Sequence, residues 1–214
     1  AAVLMLQEHR LAAADLPGIQ AAAAKLDGTG LGPMHETLLR GRSGRTAILT
    51  RKPCLIFRGR KVHRATTAIL PWTRTAAIHL ATVYGAHSLH HDREAENGRM
   101  IGELQEHLAV LGRVPWVLGG DWNMQPDAFR SMWNRGGHVR HTDTPTQQFG
   151  GNLDWILTSE LLVTGTPQAH AIPGTDHTAI LYHSSRPNRL PERRFTSNNL
   201  FRRVEQIYIL IERK

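Results

Sequence analysis

The run Pro115–Trp116–Val117–Leu118–Gly119–Gly120–Asp121–Trp122–Asn123 constrains this chain more than any other stretch. Trp116 to Leu118 is short, apolar and followed at once by two glycines, the signature of a buried strand and not of a helix. The glycines are read as the place where the backbone turns sharply, because a side chain there would collide. Asp121 and Asn123 come just past the strand, and Pro126 delays the next helix. In an extended segment, residues two apart point the same way, so one carboxylate and one amide face a common volume. Such a pair can take a hard cation or a water on one member and a phosphoryl oxygen on the other. It is equally the chemistry of a capped turn, for which Asp and Asn are favoured.

The rest of the chain supplies strands to set beside this one. Ala1 to Leu6 is uninterruptedly apolar and ends at Gln7–Glu8, as expected of a strand buried on both faces with a polar exit. Further strands are expected over Arg45–Arg51, Leu55–Arg58, Val62–Leu70, Thr75–Tyr84, Asn152–Ser159, Leu161–Thr164 and Thr178–Tyr182. Met100, Ile101, Leu104, Leu108 and Leu111 recur at helical spacing, which predicts a helix over Arg93–Leu111, with Glu94 and Glu96 suited to its first turn. The alanine-rich segment Leu11–Leu26 is helical by propensity, and a short helix is expected near Ala128–Asn134. Many short strands with few helices predict an α/β or α+β sandwich of mixed sheets with helices outside.

Composition narrows the class of function. A chain of 214 residues is long enough for one domain with a real core. No apolar run approaches the roughly 18 residues of a membrane span, and no secretory leader pattern opens the sequence. One cysteine, Cys54, rules out an internal disulfide framework and a Cys-based zinc site, and leans towards an intracellular compartment. The formal charge is +8, which favours polyanionic partners. Arg186 to Lys214 holds eight positive and three negative residues, so most of the excess sits in a basic tail or linker, residues 185–214, behind a domain spanning 1–184.

Polar groups gather where strands end: Gln7–Glu8, Tyr84–His87, Asp121–Asn123 and Asp176–His177. Polar residues along one rim of a packed sheet are where sites are built. Asp154 stands inside Leu153–Asp154–Trp155–Ile156–Leu157, where a carboxylate is costly unless it is paired, ligating or on a solvent-facing edge.

Leu6–Gln7–Glu8, Gly119–Gly120–Asp121–Trp122–Asn123, Leu153–Asp154–Trp155–Ile156 and Thr175–Asp176–His177, in this order, resemble the motifs of the endonuclease/exonuclease/phosphatase superfamily. The likeness runs over about residues 1–183. It implies a four-layer α/β/β/α sandwich and a phosphodiester hydrolase dependent on Mg²⁺ or Mn²⁺, most simply an endonuclease on DNA or RNA. It further implies that Glu8 is the principal metal ligand and that Asp176 supports the metal or the water. Asp121 would position the attacking water, Asn123 would hold a phosphate oxygen, and His177 would meet the scissile phosphate. Asp154 would orient His177, and Tyr84 would donate to a phosphate oxygen. Two departures stand out. The chain opens at what corresponds to the family's second strand, and His87 stands where an Asn commonly follows the Tyr. A phosphatase acting on a phosphorylated metabolite or phosphoinositide, and a binding module that keeps the fold with an incomplete site, are the competing readings.

Overall fold

Two β-sheets lie face to face in the computed structural model, which describes residues 2–7, 36–39, 46–50, 62–71, 77–147, 150–171, 177–185 and 205–211. The first sheet holds β1 (Ala2–Gln7), β2 (Glu36–Leu39), β3 (Ala47–Thr50), β9 (Val163–Thr164), β10 (Gln168–Ala171), β11 (Thr178–Ser185) and β12 (Glu205–Ile211). The second runs β4 (Ala65–Pro71), β5 (Ala77–Tyr84), β6 (Trp116–Asp121), β8 (Asp154–Thr158), β7 (His138–Arg140) in spatial order. Helices α1 (Arg93–Leu111) and α2 (Pro126–Met132) complete the described elements.

Strand alternation sorts the apolar residues into two cores. Val3, Met5, Ile48, Leu70, Ile78, Leu80, Val117, Ile156, Ile180 and Tyr182 meet between the sheets. Val83, Leu118, Trp122, Trp155 and Leu157 turn the other way and pack with Met100, Ile101, Leu104 and Leu108 of α1 and Phe129 of α2. A sheet–sheet core with helices on an outer face is the mixed sandwich that the short-strand pattern predicts. The Leu11–Leu26 helix and the Leu55–Arg58 strand expected from the sequence lie outside the described residues.

Several elements differ from the sequence-based expectation. β7 and β10 are edge strands of three and four residues, too short and polar to stand out in the sequence. Glu205–Ile211, within the segment read as a tail, forms β12 between β11 and β1, antiparallel to the first and parallel to the second. Its Gln-Ile-Tyr-Ile-Leu-Ile run is a strand-forming sequence. Gly119 and Gly120 do not make the turn; β6 runs straight through them to Asp121. At Gly120 the role is close approach: a Cβ there, where φ is +149°, would stand 2.2 Å from the Val83 carbonyl oxygen. Among the described residues no helix is long and apolar enough to cross a membrane.

The helix-facing side of β5 also carries a titratable group. His79 is 7% exposed, and burial together with the neighbouring His107 pushes its imidazole down to about 4 from an ordinary 6.5. In the unfolded chain His79 takes up its proton below about pH 6.5, in the folded chain only below about 4. Stability therefore falls as pH drops through that window, by about 3 kcal/mol in total for this group. Urea unfolding at pH 7 and pH 4.5 is expected to show this loss in the wild type and a clearly smaller one in His79→Leu. Equal losses in both would rule His79 out as a source of acid lability.

Candidate active site

Strand register assembles the site. Tyr84 ends β5 opposite Asp121 on β6, and Asp121 lies opposite Asp154, the first residue of β8. All three share the alternation that sends Leu80, Val117 and Ile156 into the space between the sheets. The row Tyr84–Asp121–Asp154 therefore lies along one rim of that space, where β1 of the facing sheet also ends. Gln7, the last residue of β1, reaches across and donates to the Thr82 hydroxyl, tying the two sheets together directly behind the row.

His177 enters from just before β11, 3% exposed, and its Nδ1 stands 2.9 Å from Oδ2 of Asp154, which is fully buried. With Nδ1–H donating to the carboxylate, Nε2 has its lone pair free for the Gln147 amide, 3.1 Å away. Asp154 is thus neither a ligand on its own nor a solvent-facing edge residue: it is paired, as the cost of burying a lone carboxylate requires. Thr146 supports the arrangement, accepting from the Asp154 backbone N–H through its hydroxyl and from Thr178 N–H through its carbonyl.

Asn123 follows Asp121 in a left-handed conformation, φ 50°, which Asn tolerates better than most residues. That bend folds it back on Asp121. Its backbone N–H donates to Oδ1 of Asp121 at 2.9 Å, and its side-chain amide donates to Oδ2 at 3.1 Å and to the Gly85 carbonyl at 3.0 Å. Both oxygens of the Asp121 carboxylate are thereby oriented. Two arginines hold the surrounding backbone. Arg93, at the start of α1, donates to the Asn123 carbonyl at 2.5 Å. Arg64 donates to the carbonyls of Tyr84 at 2.7 Å and Gly85 at 3.0 Å, with its guanidinium 5.0 Å from the Tyr84 ring centre. Gly85 has to be glycine here, since a Cβ would fall 2.0 Å from the Trp122 carbonyl oxygen.

Beneath the row lies an aromatic bed. Trp122 and Trp155 stack at 4.2 Å with planes 7° apart, and Phe129 of α2 meets both edge-on at 4.9 and 4.6 Å. Each indole N–H is satisfied, Trp122 by the Trp155 carbonyl and Trp155 by the Met124 carbonyl. The alternation that points Asp121 and Asp154 to the rim thus sends their neighbours Trp122 and Trp155 into the opposite core.

Of the residues singled out in the sequence, Tyr84, Asp121, Asn123, Asp154 and His177 come together; Glu8 and Asp176 lie outside the described residues. His87 follows in the turn after β5, its Nδ1 accepting from the Leu89 N–H. Arg64, Arg93, Thr146 and Gln147 carry no motif that would have marked them. Only their backbone and imidazole partners do. The ligand atoms of Asp121, Asp154 and His177 lie within 4.8 Å of one another. Of these, the two carboxylates offer the oxygen donors that a hard divalent cation takes, while the imidazole is held by Asp154 at Nδ1 and by the Gln147 amide at Nε2.

The model of the endonuclease/exonuclease/phosphatase family matches residues 1–177 of the chain. No curated protein matches the sequence. Among solved structures, an endonuclease/exonuclease/phosphatase from Bacteroides vulgatus shares the fold at a TM-score of 0.59 and 13% identity, over 82% of this chain and 81% of that one. A Bacteroides thetaiotaomicron mannosyl-6-phosphatase is similar at a TM-score of 0.54 and 11% identity, covering 83% of this chain and 97% of that one. An endonuclease/exonuclease/phosphatase from Beutenbergia cavernae is similar at 0.53 and 11%, over 79% of this chain and 64% of that one.

Proposed function

The chain belongs to the endonuclease/exonuclease/phosphatase family, and from that premise we propose that it is a metal-dependent phosphodiester hydrolase acting on nucleic acid. The observation that carries the reading is the buried Asp154–His177 pair, 2.9 Å apart, at the end of the row that holds Asp121.

Each residue then has a task. Asp121, its carboxylate fixed by Asn123, takes the proton of the attacking water. Asp154 holds His177 in one tautomer and orientation, and stabilises the imidazolium that can donate from Nε2 to a phosphate oxygen as negative charge builds. For that donation the Gln147 amide gives up its place at Nε2. Tyr84 is at hand for a second phosphate oxygen. Glu8 and Asp176 are the proposed metal ligands. A bound Mg²⁺ or Mn²⁺ would neutralise phosphate oxygens and lower the pKa of the water. Nucleic acid is favoured over a small phosphoester by the +8 formal charge, to which the basic residues 186–214 contribute most. Fold alone does not choose between these substrates.

Plasmid DNA and p-nitrophenyl phosphate, each incubated with the full chain in Mg²⁺ and in EDTA, separate the readings. Mg²⁺-dependent nicking is expected, lost in EDTA and reduced at least about 100-fold in Asp121→Ala. Hydrolysis of the monoester alone would point to a phosphatase, and a folded chain cleaving neither would point to a binding module.

A further inference from the structure

Among the described residues, two that are not glycine hold a positive φ: Arg64 at 55° and Asn123 at 50°. An asparagine tolerates this left-handed region, whereas an arginine carries strain there that a glycine would not. Such strain persists only where the surroundings over-determine the residue, and it clusters at functional sites. The two residues converge on one atom. The Gly85 carbonyl oxygen accepts from the Arg64 guanidinium at 3.0 Å and from the Asn123 side-chain amide at 3.0 Å.

The neighbours of Arg64 show what holds it in that conformation. His63 is bound twice to α1, its backbone N–H donating to the Glu103 carboxylate and its ring Nε2 meeting the Glu96 carboxylate. On the other side the Arg64 carbonyl accepts from the Tyr84 N–H at 3.0 Å, and Arg64 Nε donates to the Tyr84 carbonyl at 2.7 Å. The turn it grips is held by side chains as well. Ala86, the next residue, donates its N–H to Asn97 Oδ1 of α1 at 2.7 Å and accepts from Asn97 Nδ2 at 3.4 Å.

The amide of Asn123 has two N–H groups, and both are used: one on the Gly85 oxygen, the other on Oδ2 of Asp121 at 3.1 Å. Both partners are acceptors, so a reversed amide would set its oxygen against two others. We propose that Arg64 is a positioning residue, which acts through the Gly85 carbonyl to aim the Asn123 amide at Asp121. Its planar fork takes the carbonyls of two consecutive residues, which fixes the Gly85 oxygen more tightly than a single donor would. The inference rests on the reading of Asp121 as the group that takes the proton of the attacking water. A misplacement of about 1 Å at a reacting group can cost about 100-fold in rate.

The test is a double-mutant cycle, read as kcat and KM on plasmid DNA with Mg²⁺. Arg64→Gln is expected to lower kcat at least about tenfold and to change KM by less than about threefold. Arg64→Lys, which keeps the charge and loses the fork, should lower kcat about fivefold. Asn123→Gly deletes the amide and still accepts the left-handed backbone; in that background Arg64→Gln should cost less than about threefold. Effects that simply multiply would overturn the proposal, as would an unchanged kcat in Arg64→Gln. Should Arg64→Gln fail to fold, Arg64→Lys takes its place in the cycle, and multiplying effects there would likewise overturn it. NMR in EDTA separates this inference from the proposed function: the Asn123 side-chain amide signals are expected to move in either Arg64 variant. If the wild-type chain cleaves nothing and those signals still move, the proposed function falls and the positioning of Asn123 by Arg64 stands. If they stay in place, the positioning falls whatever the activity.

Discussion

Asp154→Asn is expected to lower phosphodiester hydrolysis by at least about 100-fold while leaving the protein folded. The carboxylate is fully buried and its Oδ2 accepts the hydrogen bond from His177 Nδ1–H at 2.9 Å. An amide keeps the shape but removes the charge that stabilises an imidazolium, and its NH₂ can face Nδ1 and force the wrong tautomer. Removing a buried charge is by itself no threat to the fold, because the desolvation cost leaves with it. His177→Ala makes the instructive contrast. It too is expected to lower turnover, but it strips the imidazole from a carboxylate that stays buried, at a stability cost of about 3 kcal/mol. Steady-state rates on a nicked-plasmid assay, with urea unfolding of both variants, check the pair. Wild-type turnover by Asp154→Asn would remove the histidine from the proposed chemistry.

Trp122→Ala is expected to be the most damaging single change to stability, at about 4 kcal/mol. The ring is fully buried between Trp155 and Phe129. Its loss opens a cavity the size of an indole and leaves the Trp155 carbonyl without its N–H donor. For a domain of this size the melting temperature should fall by about 10 °C. Trp122→Phe, which keeps part of the stack, should lose less than half as much. Because Trp122 sits between Asp121 and Asn123, its removal should also depress activity at temperatures where the variant is still folded. A drop under about 1 kcal/mol in urea unfolding would mean that the aromatic bed is not what holds the rim in place.

The local chemistry was legible where residue type and period agree. Helix α1 spans Arg93–Leu111, the range expected from the Met100–Leu111 spacing and the acidic first turn. The strand before Asp121 was legible too, although its glycines were not: a turn and a close approach ask for the same residue, and only the 2.2 Å distance from a Gly120 Cβ to the Val83 oxygen tells them apart. Short polar edges such as Gln168–Ala171 have too little apolar alternation to be read.

By itself the sequence determined the family, the short-strand sandwich and the candidates Tyr84, Asp121, Asn123, Asp154 and His177, because motifs and two-residue alternation are local properties. Tertiary structure alone decided that Tyr84, Asp121 and Asp154 form one row, since register across β5, β6 and β8 joins residues up to 70 positions apart. It also decided that Asp154 holds His177, that Asn123 bends back onto Asp121, and that Arg64 and Arg93 clamp the rim. An arginine bound to a carbonyl oxygen leaves no signature in the chain, because any residue offers that oxygen.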